Sequence, residues 1–293
     1  LIQEKVAEKI KGGLMAWNVP KKPAEEIKPA ESKKTEIVPA RQNNGSMSLV
    51  EAPAGTDIMS DPQPVDQEDQ VTPRLKLLQP LTPEVAAGMG KPGEIINSMS
   101  GANYGTEINF LPIMFWKMAI KWHPRTEGGG IADMCDNLMD NSPVSRNGED
   151  MSKIDWGAEI TKSNDKSGKL GDYWTKIYNY LVIINDEALP VVLTMARTKI
   201  RAAKKLIGYW QALLDKKTMK NYVWHARAYK LKSVEETKDN YKYFNYDIQP
   251  LGWSKEICPD RYVMAGKILN AFQGKTIKID PEDVAGETEP EKA

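Results

Sequence analysis

Apolar and polar positions alternate most regularly over residues 106–123. Ile108, Phe110, Met114, Trp116, Met118, Ile120 and Trp122 fall on even positions, with Asn109, Lys117, Lys121 and His123 between them. A period of two predicts a long strand whose even side faces a core. Pro112 lacks an amide proton, so a bulge or an edge is expected there. This parity assigns Trp116 and Trp122 to the core, and Lys117 and Lys121 to the other side.

The same reasoning carries through residues 173–253. Residues 177–184 (IYNYLVII) are β-branched and aromatic and predict a strand. Asn185, Asp186 and Glu187 supply turn chemistry ahead of a second strand over 191–195. Ile200, Ala203, Leu206, Ile207, Trp210, Leu213 and Leu214 then recur at helical spacing. Thr194 or Thr198 is expected to cap that helix, and Asp215 to end the pattern. Strands follow over 222–232 and 241–248, then a helix over 259–272 and a short strand over 276–279. A further helical turn is expected at 82–87. The fold class is mainly β with α. The predicted architecture is an OB-like five-stranded barrel, with a helix between strands 3 and 4 and an additional C-terminal helix.

Residues 1–70 lack this patterning. They are rich in Pro, Lys, Glu, Gln and Asp, and too few large apolar side chains are present to offset chain entropy. A disordered N-terminal arm is expected, with a short amphipathic helix carried by Ile2, Val6, Ile10 and Leu14. The domain spans 71–278, with an inserted loop at 124–170 rich in Gly, Asp, Asn and Ser. Residues 279–293 form an acidic tail.

Charge adds a segregation that the net value hides. The chain of 293 residues holds 40 basic and 40 acidic residues. Residues 1–70 carry 9 basic and 12 acidic, and residues 279–293 carry 1 and 6. The body between is therefore net basic, as in a polyanion binder with solvated ends. An ordinary soluble domain can carry the same excess.

Catalytic and metal chemistry find little support. Cys135 and Cys258 are far apart and form no metal-ligand spacing, so free thiols in a reducing compartment are expected. Gly128, Gly129 and Gly130 lack the ending of a phosphate loop. Asp133, Asp136 and Asp140 cluster on a loop with no partner histidine. No metal, no cofactor and no enzymatic activity are expected. No apolar run is long enough to span a bilayer. A cytoplasmic protein is expected.

Binding chemistry is better represented. Trp174, Lys176, Tyr178 and Tyr180 share one side of the strand at 177–184, opposite Ile177, Leu181 and Ile183. Ring faces for bases and cations for phosphates are what single-stranded nucleic acid needs. Packing beneath the inserted loop is the alternative for those rings. The candidate residues are Lys117, Lys121, Trp174, Lys176, Tyr178, Arg197, Lys199, Arg201, Arg227, Tyr229 and Lys230. Lys204 and Lys205 read as a solvated helix face.

Two segments also resemble a known family. PRLKLLQPLTPEVAAGMGKPGEIIN and YNYLVIINDEALPVVLTMARTKIRAAKKLI are similar to tailed-phage single-stranded DNA-binding proteins over roughly residues 73–250. The resemblance implies single-stranded DNA binding in replication or recombination, and an acidic tail that recruits proteins of those processes. It also implies several cysteines in the inserted loop that hold zinc. This chain keeps only Cys135 there, so no zinc is expected. The rival reading is a virion or assembly protein whose N-terminal arm orders on a neighbour.

Overall fold

The computed structural model describes residues 72–184, 187, 189–238, 241–272 and 277. The expectations for the N-terminal arm and the acidic tail lie outside those residues, as does the short strand at 276–279 except for Ile277.

The long strand is present as β3 (Glu107–Trp122), but its parity breaks in the middle. Pairing with β5 (Tyr173–Ile184) steps from Pro112↔Val182 to Met114↔Leu181, which leaves Ile113 as an extra residue. A bulge inserts one residue and exchanges the faces beyond it. Ile108 and Phe110 therefore pack with Tyr178 and Tyr180, whereas Met118, Ile120 and Trp122 pack with Ile177 and Leu181 on the opposite face. The expectation of a single even-numbered core side is corrected accordingly. Pro112 sits where the ladder is already interrupted.

Among the described residues, eight strands form one mixed sheet. Seven lie in the order β2-β1-β6-β5-β3-β7-β8 and β4 pairs with the far end of β3. The added strands are β1 (Arg74–Leu77), β2 (Ile95–Asn97), β4 (Ile131–Cys135), β6 (Val191–Ala196), β7 (Arg227–Lys238) and β8 (Tyr241–Trp253). The five expected strands correspond to β3, β5, β6, β7 and β8, and the expected helix lies between the third and fourth of them. The sheet is not a five-stranded barrel, because β1 joins β6 in parallel and brings β2 with it. The apolar run in PRLKLL is the signal for β1, too short to separate from a helical turn by period. The helices are α1 (Pro83–Ala86), α2 (Trp156–Ser163), α3 (Ile200–Gln211), α4 (Ser254–Ile257) and α5 (Pro259–Phe272).

The sheet curls until its two ends meet. Leu75, Leu77 and Ile95 from one end share a core with Tyr246 and Ile248 from the other. A side-chain clasp replaces the missing ladder. Gln79 Nε2 donates to the Phe244 carbonyl at 2.8 Å, and the Phe244 N–H donates to Gln79 Oε1 at 2.9 Å. Gly93 lies against the Phe244 ring with φ +87°, and a Cβ there would stand 2.6 Å from Phe244 Cε1. The clasp also blunts β8 as a template for a foreign strand. Gln79→Leu leaves both Phe244 backbone groups without a partner and is expected to cost about 1–3 kcal/mol in urea unfolding.

The inner face is filled by α3. Ala202, Ala203 and Leu206 are buried in the core with Tyr180, whose hydroxyl donates to the Ala203 carbonyl at 2.9 Å. Neither expected threonine caps the helix. Thr194 is inside β6, where its hydroxyl donates to Asn179 Oδ1, and a 3₁₀ turn Arg197–Lys199 leads into α3. The helix ends at Gln211, short of Asp215. The segment before β7 forms a 3₁₀ turn, Trp224–Ala226, rather than strand.

The opposite face is covered by α5. Ala265 is buried there among Met118, Ile120 and Leu181, with Leu269 and Phe272 packed beside it. His225 is 5% exposed, its Nδ1 has no hydrogen-bond partner, and its ring lies 5.1 Å from that of Tyr262 in α5. Burial pushes its pKa below the usual 6.5. The unfolded chain therefore takes up this proton while the folded one resists it. Stability contributed by neutral His225 is full above about pH 6.5 and is lost as the pH falls below it. His225→Gln is expected to lose less melting temperature than the wild type between pH 7.5 and 5.5.

The insertion is structured rather than an open loop. It contributes β4, α2 and two 3₁₀ turns. The Asp, Asn and Ser residues that read as irregular satisfy their own backbone. Asp155 Oδ1 accepts from the Gly157 and Ala158 N–H groups and caps α2. Asp150 and Asp165 accept in the same way from Ser152 and Ser167.

Candidate nucleic-acid interface

The bulge in β3 has a direct consequence for the basic residues. Beyond it, Phe115, Lys117, Ala119 and Lys121 stand opposite Tyr180, Tyr178, Lys176 and Trp174 of β5. All eight lie on the face of the sheet that carries α3. Five of the candidate residues are thus brought together: Lys117, Lys121, Trp174, Lys176 and Tyr178.

They divide by what surrounds them. Lys121 Nζ forms an ion pair with Glu149 at 2.8 Å and lies 5.5 Å from the Trp174 ring centroid. Trp174 is 3% exposed and packs with Ala119, Cys135 and Met151. Its indole N–H donates to Glu149 and its backbone N–H to Glu159. The insertion lies over it, so its ring is core and not an open platform. Tyr178 is buried too, beneath Lys117, whose Nζ is 5.4 Å from its ring centroid.

Lys117, Lys176 and Lys204 are different. None of the three forms an ion pair among the described residues. Lys176 is half-buried, with Nζ 3.9 Å from the Trp156 ring centroid. Burial lowers its pKa first, and the positive charges of Lys117 and Lys204 lower it further. Lys204 on α3 is exposed and stands close enough to repel Lys176, which joins strand and helix into one cationic patch.

Half-buried rings border the patch. Phe115 lies 5.5 Å from Trp224, and Trp224 stacks on Trp210 at 4.4 Å with 10° between the ring planes. With Trp156 these rings supply amphipathic surface next to unpaired cations. Sequence reasoning missed Lys204, Trp156, Trp210 and Trp224. The helical period shows Lys204 as off the core stripe, but not which strand it faces. The other three depend on how the insertion and the turn before β7 fold back.

The remaining candidates lie elsewhere. Arg197 leaves β6 with φ +50° and bonds Tyr173 on the opposite face. Lys199 is 5% exposed, with Nζ 5.2 Å from the Tyr246 ring centroid, so it is not on an open groove. Arg201 is exposed on α3, and Arg227 is half-buried at the start of β7. Tyr229 is fully buried and stacked against Phe110, and burial pushes its pKa up to about 12. Lys230 is engaged by Glu107 at 2.9 Å.

The aspartates of the insertion serve its structure. Asp133 is buried and accepts from the Met134 and Asn147 N–H groups, Asp136 pairs with Arg146, and Asp140 accepts from Asn137. Among the described residues no group of three or more His, Cys, Asp and Glu could hold a metal ion. No helix among them is long and apolar enough to cross a membrane.

Comparison with known proteins gives one assignment. A family model described as Pam3 phage gp34-like protein matches residues 45–278. Neither the curated proteins nor the solved structures give a match. The chain belongs to the Pam3 phage gp34-like family, which places it among bacteriophage proteins.

Proposed function

We propose that the protein binds single-stranded DNA during phage replication or recombination, without catalysing a reaction. The observation that carries this reading is the patch of Lys117, Lys176 and Lys204, cations with no carboxylate partner among the described residues and bordered by half-buried rings. Unpaired lysines at a sheet face gain from phosphates by counterion release. Aromatic edges and faces beside them suit unstacked bases, which a duplex does not offer. The order of β3, β5, β6, α3, β7 and β8 is that of an OB-like unit, with β1, β2 and β4 added to it. In this reading the acidic tail at 279–293 contacts replication or recombination proteins.

Photo-cross-linking tests the placement. An oligonucleotide carrying 5-iodouracil is expected to form adducts on peptides that contain Phe115, Trp156 or Trp224. Adducts confined to Tyr222 and Trp253 would move the site to another surface.

A second reading has one observation in its favour. Tyr222, Val223, Leu251, Trp253 and Ile257 are exposed, and the rings of Tyr222 and Trp253 are in contact at 5.3 Å. Exposed apolar residues in such number suit a subunit contact of a virion or assembly protein. That reading predicts oligomers in size-exclusion chromatography and no shift of DNA in a gel.

A further inference from the structure

We propose that Arg197, Tyr173 and Trp122 form a site for a phosphate-type oxyanion, on the face of the sheet opposite the lysine patch. The three come together at one end of the sheet. Tyr173 opens β5 opposite Trp122, the last residue of β3, and Arg197 follows the last residue of β6. Tyr173 and Trp122 belong to the core beneath α5, together with Ala196.

Arg197 reaches them through an unfavourable backbone. Its φ of +50° lies in the left-handed region, which side chains with a Cβ adopt at a cost. Such strain persists where the surroundings hold it, and it concentrates at binding sites. Here it turns the guanidinium to the α5 side, where Nη2 donates to the Tyr173 hydroxyl at 3.2 Å and Cζ lies 5.8 Å from the Trp122 ring centroid.

The patch holds donors and no paired acceptor. Arg197 forms no ion pair among the described residues. The Tyr173 hydroxyl accepts from Arg197, which leaves its own proton to give. Trp122 is 6% exposed and its indole N–H has no hydrogen-bond partner. That N–H is closed off from any ligand, so Arg197 and Tyr173 supply the contacts to the anion, and Trp122 supplies the ring over which the guanidinium lies. The nearest carboxylate in sequence, Asp172, is engaged by His123 at 2.8 Å. A guanidinium presents parallel N–H groups that fit a phosphate in two-point contact.

The test uses the full chain and inorganic phosphate, with tryptophan fluorescence as the readout and chloride exchanged to hold ionic strength constant. The wild type is expected to respond saturably. Arg197→Gln and Arg197→Gly are each expected to bind at least 10-fold more weakly, the cost of losing a charge-assisted contact. Arg197→Gly is expected to unfold no earlier than the wild type, since glycine takes a positive φ without strain. A parallel titration with a single-stranded oligonucleotide identifies the source of the anion. If a nucleic-acid phosphate fills the site, Arg197→Gln lowers the salt slope by about 0.7 and the oligonucleotide competes with phosphate. If a free anion fills it, the slope is unchanged while the phosphate response is lost. An equal phosphate response in wild type and variants would overturn the proposal. So would no phosphate response together with an unchanged oligonucleotide slope. Neither result depends on the lysine patch.

Discussion

Trp174→Ala is expected to destabilise the protein by about 3–5 kcal/mol in urea unfolding, the range for truncating a large buried ring. Alternation alone places Trp174 beside Lys176 and Tyr178 and makes a stacking role plausible. The structure instead shows its ring 3% exposed, between Ala119 of β3 and Met151 of the insertion. Its indole N–H also holds Glu149, which in turn pairs with Lys121. Removing the ring therefore opens a cavity and loosens the attachment of the insertion to the sheet. Trp174→Phe keeps most of the packing and is expected to cost less. An alanine variant as stable as the wild type, with single-strand binding weakened by about 1–3 kcal/mol, would return the ring to the binding surface.

The opposite behaviour is expected of the cationic patch. Replacing Lys117, Lys176 and Lys204 together by alanine is expected to lower the slope of log affinity against log salt by about 2 units, at ~0.7 per phosphate contact with single strands. Folding stability is expected to change little, because the like-charge repulsion relieved at Lys176 offsets the ring contacts that Lys117 and Lys176 lose. Lys230→Ala serves as the control, since that lysine is already engaged by Glu107. A triple variant with the slope of the wild type would show that phosphate contacts lie elsewhere.

The contrast between Trp174 and Lys204 shows what the sequence carries and what it does not. Strand identity was legible because β3, β5 and β6 are long, apolar and regular in period. The helix after β6 was legible from Ala203, Leu206 and Ile207. The face exchange in β3 was only half legible. Pro112 announces an irregularity, but one extra residue at Ile113 decides on which side Lys117 falls, and no pattern marks it. By chance of that bulge, Lys117 and Lys176 share a face although one is odd-numbered and the other even. β1 and β2 were not legible because runs of three and four residues have no measurable period. Burial of Trp174 and Tyr178 depends on a fold-back of the insertion and on a lysine crossing from the next strand. Those are contacts distant in sequence, and local patterning does not report them.

The salt dependence of single-strand binding tests the central claim most directly. A fluorescent oligothymidine is titrated with the intact wild-type protein at several salt concentrations, and a duplex of the same length is titrated beside it. The account predicts binding to the single strand that weakens linearly on a log–log scale, with a slope of about −2 or steeper, and weaker binding to the duplex. Affinity for the single strand that does not change with salt, or no affinity at the lowest salt, would contradict it and favour the assembly reading.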